Sequence, residues 1–348
     1  MPTPDRAGLN LAALPAWLTS HGLADATGSE VRWLPGGTQN VMLQVATGRG
    51  SFVLRAGPNR AEPTAGLVAR ETTVLLALAG TSVPHPTLVA VEPDASVLGR
   101  PFYLMQRVDG ASPVGAPRES RPMPSASAVA QALLRLAELD PDAVGLEEFG
   151  HRDGWLSRQV RRWQRQLASY SEVAGYPGHG LPHTGEVARW LNQRLPEPSP
   201  TGLLHGDLHL GNLLLSEDGR TVSAIVDWEL ATLGDPLLDL AELAVTWPDS
   251  RGCSILGAVA SVPAHPEFPR PADILRRYRD GSARDLTELR WYLVLACFRL
   301  GVLLEGSRAR AFAGTADWAT ANDLHAAAVR LLNRAAGLRT ASSELLDI

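Results

Sequence analysis

Lysine is absent from this 348-residue sequence, so its 32 basic residues other than histidine are all arginine. Cysteine is nearly as rare. The two residues, Cys253 and Cys297, are too few and too scattered for a disulfide framework or a zinc cluster, and we therefore expect a reducing, cytoplasmic compartment. The net charge of −5 gives no general electrostatic reason to bind nucleic acid or an anionic membrane.

Long uncharged apolar runs are also missing. The stretch 72–91 has no charged residue, but a glycine and two prolines interrupt it, and the apolar run 291–298 ends at Arg299. Neither resembles a membrane span. The first ten residues lack the basic region and apolar core of a signal peptide. We therefore predict neither a membrane nor a nucleic acid as partner, while the oligomeric state stays open.

The composition, 45% hydrophobic and 20% charged, is that of an ordinary globular protein, and the length is sufficient for two lobes. Hydrophobic periodicity predicts a β-rich first part and a mainly helical second part. The predicted strands are two runs within 31–45, then 51–55, 83–90 and 101–108. The predicted helices are 9–23, 62–80, 128–140, 154–171, 186–195, 237–247, 272–280, 285–305 and 317–336. We assign an α+β fold with an N-terminal lobe, 1–107, and a C-terminal lobe, 108–348.

One stretch combines apolar strands with unusually many polar residues. The apolar runs 212–215 and 222–226 flank a Glu-Asp-Gly turn, which predicts a β-hairpin. The polar residues near its two ends are His205, Asp207, Asn212, Asp227 and Glu229. Closing the hairpin would bring three carboxylates together, and a bound cation would relieve their repulsion. Hard oxygen ligands favour Mg²⁺, which also binds phosphate oxygens, so the residues indicate metal-assisted phosphoryl transfer.

A glycine pair lies between the two extended runs of 31–45, in the segment 36–40. Glycines allow a tight turn and close approach of the backbone to a ligand, and backbone N–H groups in such a loop can bind phosphate. A plain hairpin has the same pattern, and by itself the segment favours that interpretation.

The spacing of the polar residues is typical of a kinase. The interval from Asp207 to Asn212 equals the Asp-to-Asn interval of the kinase catalytic loop, and an acidic residue, Asp227, follows on the next strand. The chain resembles the aminoglycoside phosphotransferase-type kinases of the protein-kinase-like fold, from about residue 34 to residue 306. Residues 227–241 are similar to the branch that includes the kinase-like domain of some acyl-CoA dehydrogenase family proteins.

The resemblance implies roles for particular residues and a bilobal fold. Asp207 would be the catalytic base, and Asn212 and Asp227 would bind Mg²⁺. Arg55 would take the place of the lysine on the third strand, and Glu71 that of its partner on the helix. The remaining nucleotide-binding positions for ATP or GTP would be Gly36, Gly37, Thr38 and Asn40 over the phosphates, with Gln106 and Val108 at the adenine.

The chain departs from the family pattern at three positions. Arg55 stands in place of lysine, Gln106 in place of a frequent acidic residue, and Ala137 in place of a histidine. A guanidinium can still bridge phosphates and Glu71, although its planar fork is not equivalent to an ammonium. None of the three departures affects the predicted base or metal ligands.

Several polar residues have two interpretations. His205 is more typical of a residue that holds its loop, whereas His209 and Glu229 are evenly balanced between a structural and a functional role. Gly234, Asp235 and Pro236 resemble the family's structural turn, so we expect Asp235 to support the fold. The residues that could bind an anionic acceptor, but for which solvated helix faces are favoured, are Arg158, Gln159, Arg162 and Arg299.

These patterns lead to one main hypothesis and two alternatives. The chain is predicted to be an ATP- or GTP-dependent kinase for a small-molecule hydroxyl. The charges from 152 to 165 are mostly basic, which favours a neutral or anionic acceptor such as a hydroxyacyl thioester, a sugar or a macrolide-like antibiotic. The first alternative is a pseudokinase-like binding module, supported by the missing lysine. The second, a metal-dependent phosphoesterase, would need no nucleotide loop.

Overall fold

The computed structural model describes residues 9–25, 28–34, 41–57, 65–115, 121–257 and 260–340. Its contacts group the chain into two compact units. The N-terminal unit contains residues 1–109 and 223–231, and the C-terminal unit contains residues 110–222 and 232–348. The segment 223–231 thus belongs with the first unit, although it follows the first unit in sequence by more than a hundred residues. The lobes 1–107 and 108–348 stay a prediction about domain organisation.

The N-terminal unit is built around an antiparallel sheet. Five strands pair in the order β1-β2-β3-β5-β4. They are β1 (Ser29–Trp33), β2 (Val41–Thr47), β3 (Gly50–Ala56), β4 (Leu88–Glu92) and β5 (Phe102–Gln106). The unit's helices are α1 (Leu14–Ser20) and α2 (Ala65–Leu78). The five strands, with the long helix α2 after the third of them, confirm the predicted β-rich first part of the chain.

Alternation along the strands gives the sheet two different faces. Leu54 of β3 and Leu104 of β5 lie in a buried apolar cluster with Trp17 of α1. Arg55, the next residue on β3, therefore points to the opposite face, together with its cross-strand partner Tyr103. Helix α2 contacts β4 and β5, and this second face contains the polar residues described below.

The C-terminal unit is mainly helical. Its helices are α3 (Ala126–Ala137), α4 (Trp155–Ser169), α5 (Thr184–Gln193), α6 (Leu237–Thr246), α7 (Pro271–Gly281), α8 (Leu289–Phe312) and α9 (Trp318–Thr340). Helix α8 contacts α4, α5, α6 and α9. A helix that is surrounded in this way is apolar on nearly all sides, which is why 291–298 is the longest apolar run of the unit.

Short strands position the polar stretch of the sequence. β6 (Gly202–Leu204) pairs with β9 (Thr232–Gly234), and β7 (Leu213–Leu215) forms the predicted hairpin with β8 (Val222–Ile225). The turn of that hairpin is closed by a hydrogen bond from the Ser216 amide to the Thr221 carbonyl oxygen at 3.0 Å. The mixed α+β class predicted from the sequence is confirmed.

Two predicted elements begin later in the structure for a clear physical reason. The strand predicted over 83–90 is Leu88–Glu92, because Pro84 and Pro86 have no amide hydrogen to donate to a sheet. The helix predicted over 285–305 begins only at Leu289. Upstream of it, the Asp285 carboxylate accepts hydrogen bonds from the amide and hydroxyl of Thr287, which favours a turn instead of a helix.

The predicted solvation of four polar side chains is wrong for two of them. Arg299 and Gln159 are only 6% and 4% exposed, respectively. Arg299 lies on the buried helix α8, and Gln159 bonds back to the Trp155 carbonyl oxygen within α4. Arg158 and Arg162 are exposed, as predicted. Among the helices of the described ranges, none combines the length and low charge required to span a bilayer.

Candidate active site

Arg55 is at the centre of the polar cluster in the N-terminal unit. Its Nε atom lies 3.0 Å from Glu71 Oε2, and its Nη2 atom lies 2.6 Å from Asp227 Oδ1 and 3.0 Å from Glu229 Oε2. The arginine side chain is 7% exposed, while those of Asp227 and Glu229 are 32% and 24% exposed. One buried guanidinium therefore pairs with three carboxylates, two of which stay accessible.

Arg55 and its three partners come from three segments of the unit. Arg55 is on β3, Glu71 is in the middle of α2, and Asp227 and Glu229 follow β8. The other oxygen of Glu71, Oε1, accepts a hydrogen bond of 3.2 Å from the Trp228 amide. Glu71 therefore connects the helix both to the arginine and to the backbone between the two accessible acids.

Burial and charge act in opposite directions on the ionisation of this cluster. Burial raises the pKa of Glu71 to about 7, and the Arg55 guanidinium opposes that shift. For Arg55, burial lowers the pKa, but the carboxylates of Glu71 and Asp227 more than offset it, so the pKa is raised above its ordinary value. Arg55 is therefore a permanent positive charge beside Asp227. The negative charge of the neighbouring acids, which suggested a bound cation, is thus partly neutralised by Arg55.

The backbone of Asp227 adopts an uncommon conformation. Its φ of 72° is left-handed, and it is one of two described residues other than glycine with a positive φ, the other being His183. Aspartate tolerates this region better than most residues, although it still costs free energy. The ion pair with Arg55 and the buried Trp228 that follows hold the chain in this conformation.

Because Arg55 pairs with three acids, replacing it should lower the stability of the protein. Arg55→Met leaves the buried Glu71 and its neighbours without a counter-charge, and we expect the free energy of unfolding to fall by about 3–5 kcal/mol. Arg55→Lys keeps the charge but not the planar fork, so its loss should be smaller. Urea unfolding measures both, with Arg49→Met on the exposed β2–β3 turn as the control. Equal stability of the Met and Lys variants would contradict the charge explanation.

The predicted catalytic loop lies in the C-terminal unit, between β6 and β7. The Asp207 amide donates to His205 Nδ1 at 3.2 Å, and Asn212 Nδ2 donates to the Asp207 carbonyl oxygen at 2.9 Å. His205 is fully buried. The loop therefore folds around Asp207, with its carboxylate left 36% exposed. His205 holds this loop, which agrees with the structural interpretation of that residue.

His209 faces the predicted base. Its Nδ1 atom accepts a hydrogen bond of 3.0 Å from the Gly211 amide, which places the proton of the neutral ring on Nε2. That Nε2 atom lies 3.8 Å from Asp207 Oδ2. His209 is thus oriented toward the carboxylate, whereas the sequence left its role open.

Asp239, which the sequence did not single out, holds the backbone of the loop before Asp207. Its buried carboxylate accepts hydrogen bonds from the amides of His205 and Gly206, at 2.6 and 3.0 Å. Gly206 has a φ of 79°, a conformation that glycine adopts without strain. An acid four residues after Asp235 in an apolar helix was the available signal, since a buried carboxylate needs partners.

Asp235 has the contacts of a structural residue. One oxygen accepts from the Leu237 amide at 3.0 Å, and the other accepts from the hydroxyls of Ser199 and Tyr292, both at 2.5 Å. These bonds join the start of α6 to α8 and to the segment before β6. Asp235 is 4% exposed.

The other predicted nucleotide-binding positions belong to the loop 36–40 and to the end of β5. Gly36, Gly37, Thr38 and Asn40 lie outside the described residues. Gln106 ends β5, and its amide donates to the Thr87 carbonyl oxygen at 2.8 Å. Its backbone can therefore offer a ligand an acceptor but not that donor. The side chain of Gln106 is exposed, and Val108 is half-buried.

The donors suited to Mg²⁺ are present on both predicted ligands. Asn212 directs its amide nitrogen to the Asp207 backbone, which leaves its carbonyl oxygen for a ligand, and Asp227 has an accessible carboxylate. Hard oxygens of this kind fit Mg²⁺, which usually takes few protein ligands and completes its shell with water and phosphate. Within the described ranges, no group of three or more His, Cys, Asp or Glu side chains is arranged to hold a metal.

Known proteins match this chain along most of its length. Acyl-CoA dehydrogenase family member 11 of Gallus gallus is 32% identical over 305 residues, which cover 82% of this chain and 37% of the relative. Family member 10 of Mus musculus is 30% identical over 277 residues, covering 78% of this chain and 25% of the relative. The chain therefore spans about a quarter to two fifths of the length of these curated relatives.

Solved structures share the fold. A candidate aminoglycoside phosphotransferase from Ralstonia eutropha aligns with a TM-score of 0.74 and 28% identity, over 95% of this chain and 98% of the other. The ternary complex of streptomycin, ATP and APH(2″)-IIa aligns with a TM-score of 0.58 and 15% identity, over 94% and 97% of the two chains. The second similarity concerns the fold alone.

The sequence profile of the family described as "Phosphotransferase enzyme family" matches residues 30–274, which is well over half of the chain. This range contains the Arg55 cluster, the loop around Asp207 and the hairpin that follows it. The chain belongs to the phosphotransferase enzyme family and has the protein-kinase-like fold of the aminoglycoside phosphotransferases.

Proposed function

We propose that this phosphotransferase transfers the γ-phosphoryl group of ATP or GTP to a hydroxyl group of a small molecule. The observation that carries the proposal is the Arg55 cluster, in which the predicted metal ligand Asp227 is 2.6 Å from the arginine that also pairs with Glu71. A protein kinase needs its Lys–Glu pair and its metal-binding aspartate in place together for phosphoryl transfer. Here an arginine makes both contacts.

The proposed mechanism assigns a task to each side chain. Asp207 orients the acceptor hydroxyl and takes its proton, and the exposed carboxylate is available for this. Asn212 and Asp227 would hold Mg²⁺. When bound, Mg²⁺ neutralises charge on the β- and γ-phosphates. Arg55 adds a fixed positive charge beside Asp227, so that the residues themselves supply positioning and electrostatic stabilisation.

The nucleotide itself would be bound by the N-terminal unit. We propose that the backbone of Gly36, Gly37, Thr38 and Asn40 covers the phosphates. At the adenine, the carbonyl oxygen near Gln106 would accept from the base, since the Gln106 amide is already bonded to Thr87. Whether ATP or GTP is preferred would then depend on the donors and acceptors along 106–108.

The acceptor proposed here is neutral or anionic. Helix α4 exposes four arginines, Arg158, Arg161, Arg162 and Arg165. A polycationic aminoglycoside would be repelled by such a face, whereas a hydroxyacyl thioester, a sugar or a macrolide-like antibiotic would not. The curated relatives are named as acyl-CoA dehydrogenase family members, and this favours the hydroxyacyl thioester among the three.

The alternative function is a binding module without catalysis. It is supported by Arg55, because a guanidinium tied to three acids is less free than a lysine to contact phosphates. Such a module would hold nucleotide or a partner and would use the same cluster as a rigid platform. A phosphoesterase is disfavoured, because it would not need the predicted nucleotide loop 36–40, which lies within the matched range 30–274.

An acceptor screen tests the two functions against each other. The chain is incubated with Mg-ATP or Mg-GTP and with hydroxyacyl-CoA thioesters, sugars, macrolides and aminoglycosides, and phosphorylated products are detected by mass. We expect product from at least one of the first three classes. Thermal shifts with nucleotide, with and without Mg²⁺, accompany the screen. A metal-dependent shift without product in any class favours the binding module, and the absence of both contradicts the proposal.

A further inference from the structure

Arg299 is a buried charge that directly follows the apolar run 291–298 within helix α8. Its side chain is 8% exposed. One arm of its guanidinium, Nη1, pairs with Glu242 of α6, and the other arm, Nη2, donates to the Gly206 carbonyl oxygen at 2.5 Å. The guanidinium carbon also lies 5.2 Å from the centre of the Trp163 ring. Arg299 therefore joins three separate segments of the unit.

This pair is poorly suited to a purely stabilising role. Glu242 is 1% exposed, and burial raises its pKa to about 8 against the opposing effect of Arg299. Its second oxygen, Oε2, and the Trp163 indole nitrogen have no hydrogen-bond partner among the described residues. Apolar residues of similar size often replace such buried pairs without loss of stability. Stability alone therefore does not explain why an arginine lies here, and its contact with the Gly206 carbonyl oxygen suggests another role.

The Gly206 carbonyl belongs to the peptide group that immediately precedes Asp207. The oxygen of this peptide group accepts from Arg299, and its N–H, which is the Asp207 amide, donates to His205 Nδ1 at 3.2 Å. The preceding peptide groups are also held, because the amides of His205 and Gly206 both donate to Asp239. A peptide group bound at both ends cannot rotate without breaking two hydrogen bonds.

We infer that Arg299 is a positioning residue: by holding the Gly206 carbonyl oxygen, it fixes the peptide plane that sets the direction of the Asp207 side chain. The inference rests on the proposed function, because it assumes that Asp207 must meet an acceptor hydroxyl. The position of a base matters greatly, since a displacement of about 1 Å can lower a rate by ~10²-fold. Direct binding of an anionic acceptor by Arg299 is disfavoured, because its guanidinium is buried and both arms are engaged.

The test separates positioning from stability. In the double variant Arg299→Met, Glu242→Leu, an apolar pair replaces the ion pair and the bond to Gly206 is lost. Arg299→Lys retains a positive charge beside Glu242 but has a single nitrogen in place of the two that contact Glu242 and the Gly206 carbonyl oxygen. Arg310→Met, on the same helix, is the control. Hydrogen exchange by mass spectrometry compares the peptide 203–209 with peptides from α6 and α8, and urea unfolding measures the stability of each variant.

We expect amide exchange in 203–209 to be at least about tenfold faster in the double variant and in Arg299→Lys than in the parent. Exchange in the α6 and α8 peptides, and the free energy of unfolding, should stay close to those of the parent. Where the parent phosphorylates an acceptor, kcat should fall at least tenfold at an unchanged KM for nucleotide. If the double variant does not fold, Arg299→Lys gives the result alone. Unchanged exchange in 203–209, or faster exchange everywhere, would overturn the inference. If exchange is faster only in 203–209 of the variants and the parent shows no phosphotransfer, the inference about the loop stands and the proposed function is refuted.

Discussion

Asp207→Asn should lower phosphoryl transfer by ~10²–10⁴-fold, which is the range typical of removing a general base. The amide is nearly the same size as the carboxylate, and the loop is held by its backbone and by His205, so the fold should not change. The nucleotide affinity should stay within about threefold of the parent, because Asp207 is assigned to the acceptor and not to the nucleotide. Steady-state turnover and calorimetric binding of nucleotide measure the two quantities.

The control for this variant is Asp218→Asn. Asp218 is an exposed aspartate in the turn of the β7–β8 hairpin, which follows the loop that contains Asp207. Asp218 accepts a hydrogen bond from the Ser216 hydroxyl and lies in the C-terminal unit with Asp207. An amide can accept the same bond, so turnover should not change. A fully active Asp207→Asn protein would refute the proposed base, and an inactive one that has also lost nucleotide binding would indicate a different role for Asp207.

Asp227→Asn should remove most of the effect of Mg²⁺ on nucleotide affinity. Loss of a residue that merely supports a metal ligand already costs ~10–100-fold in metal affinity, and Asp227 is proposed to be a ligand itself. The measurement is calorimetric titration with ATP in Mg²⁺ and in EDTA. The parent should bind more tightly in Mg²⁺, whereas the variant should bind with similar affinity in both.

The matched control for Asp227→Asn is Glu229→Gln. Both residues lie within 3.0 Å of Arg55 Nη2, so both changes remove one negative charge from the arginine. A metal effect that disappears only in Asp227→Asn supports a ligand role for that residue. A metal effect that disappears in both would show that the charge beside Arg55 matters, and a metal effect retained in both would contradict the assignment of Asp227.

The helical and strand segments could be predicted to within a few residues because their signals are local. Apolar spacing along α4 and the Glu-Asp-Gly turn between β7 and β8 lie within a single window of sequence. Errors in the bounds arose where one local signal overrode another. The two prolines before β4 prevented pairing, and the turn at Asp285 delayed the start of α8.

The burial of Arg299 shows the opposite case, in which no local signal was sufficient. Charged residues usually lie on solvated faces, and that general rule predicted the wrong environment here. The available signal was an apolar run on both sides of the arginine, which indicates a helix that is buried all round. Its partners, Glu242 and Gly206, are 57 and 93 residues away in sequence.

The sequence by itself predicted the chemistry that is proposed for the loop around Asp207. Asp207 and Asn212 are separated by only five peptide units, so the spacing in the sequence limits the distance between the two side chains in the fold. The resemblance that followed from this spacing led to the family, and the profile match confirmed it. The same locality made the hairpin predictable.

Only the tertiary structure decided which charges neutralise one another. Arg55 and Asp227 are 172 residues apart, yet their atoms are 2.6 Å apart. Such pairs depend on how strands and helices pack, and packing is selected by the burial of the whole apolar surface rather than by the few polar residues it brings together. The sequence therefore predicted a cation among the acids, and the fold placed Arg55 beside Glu71, Asp227 and Glu229.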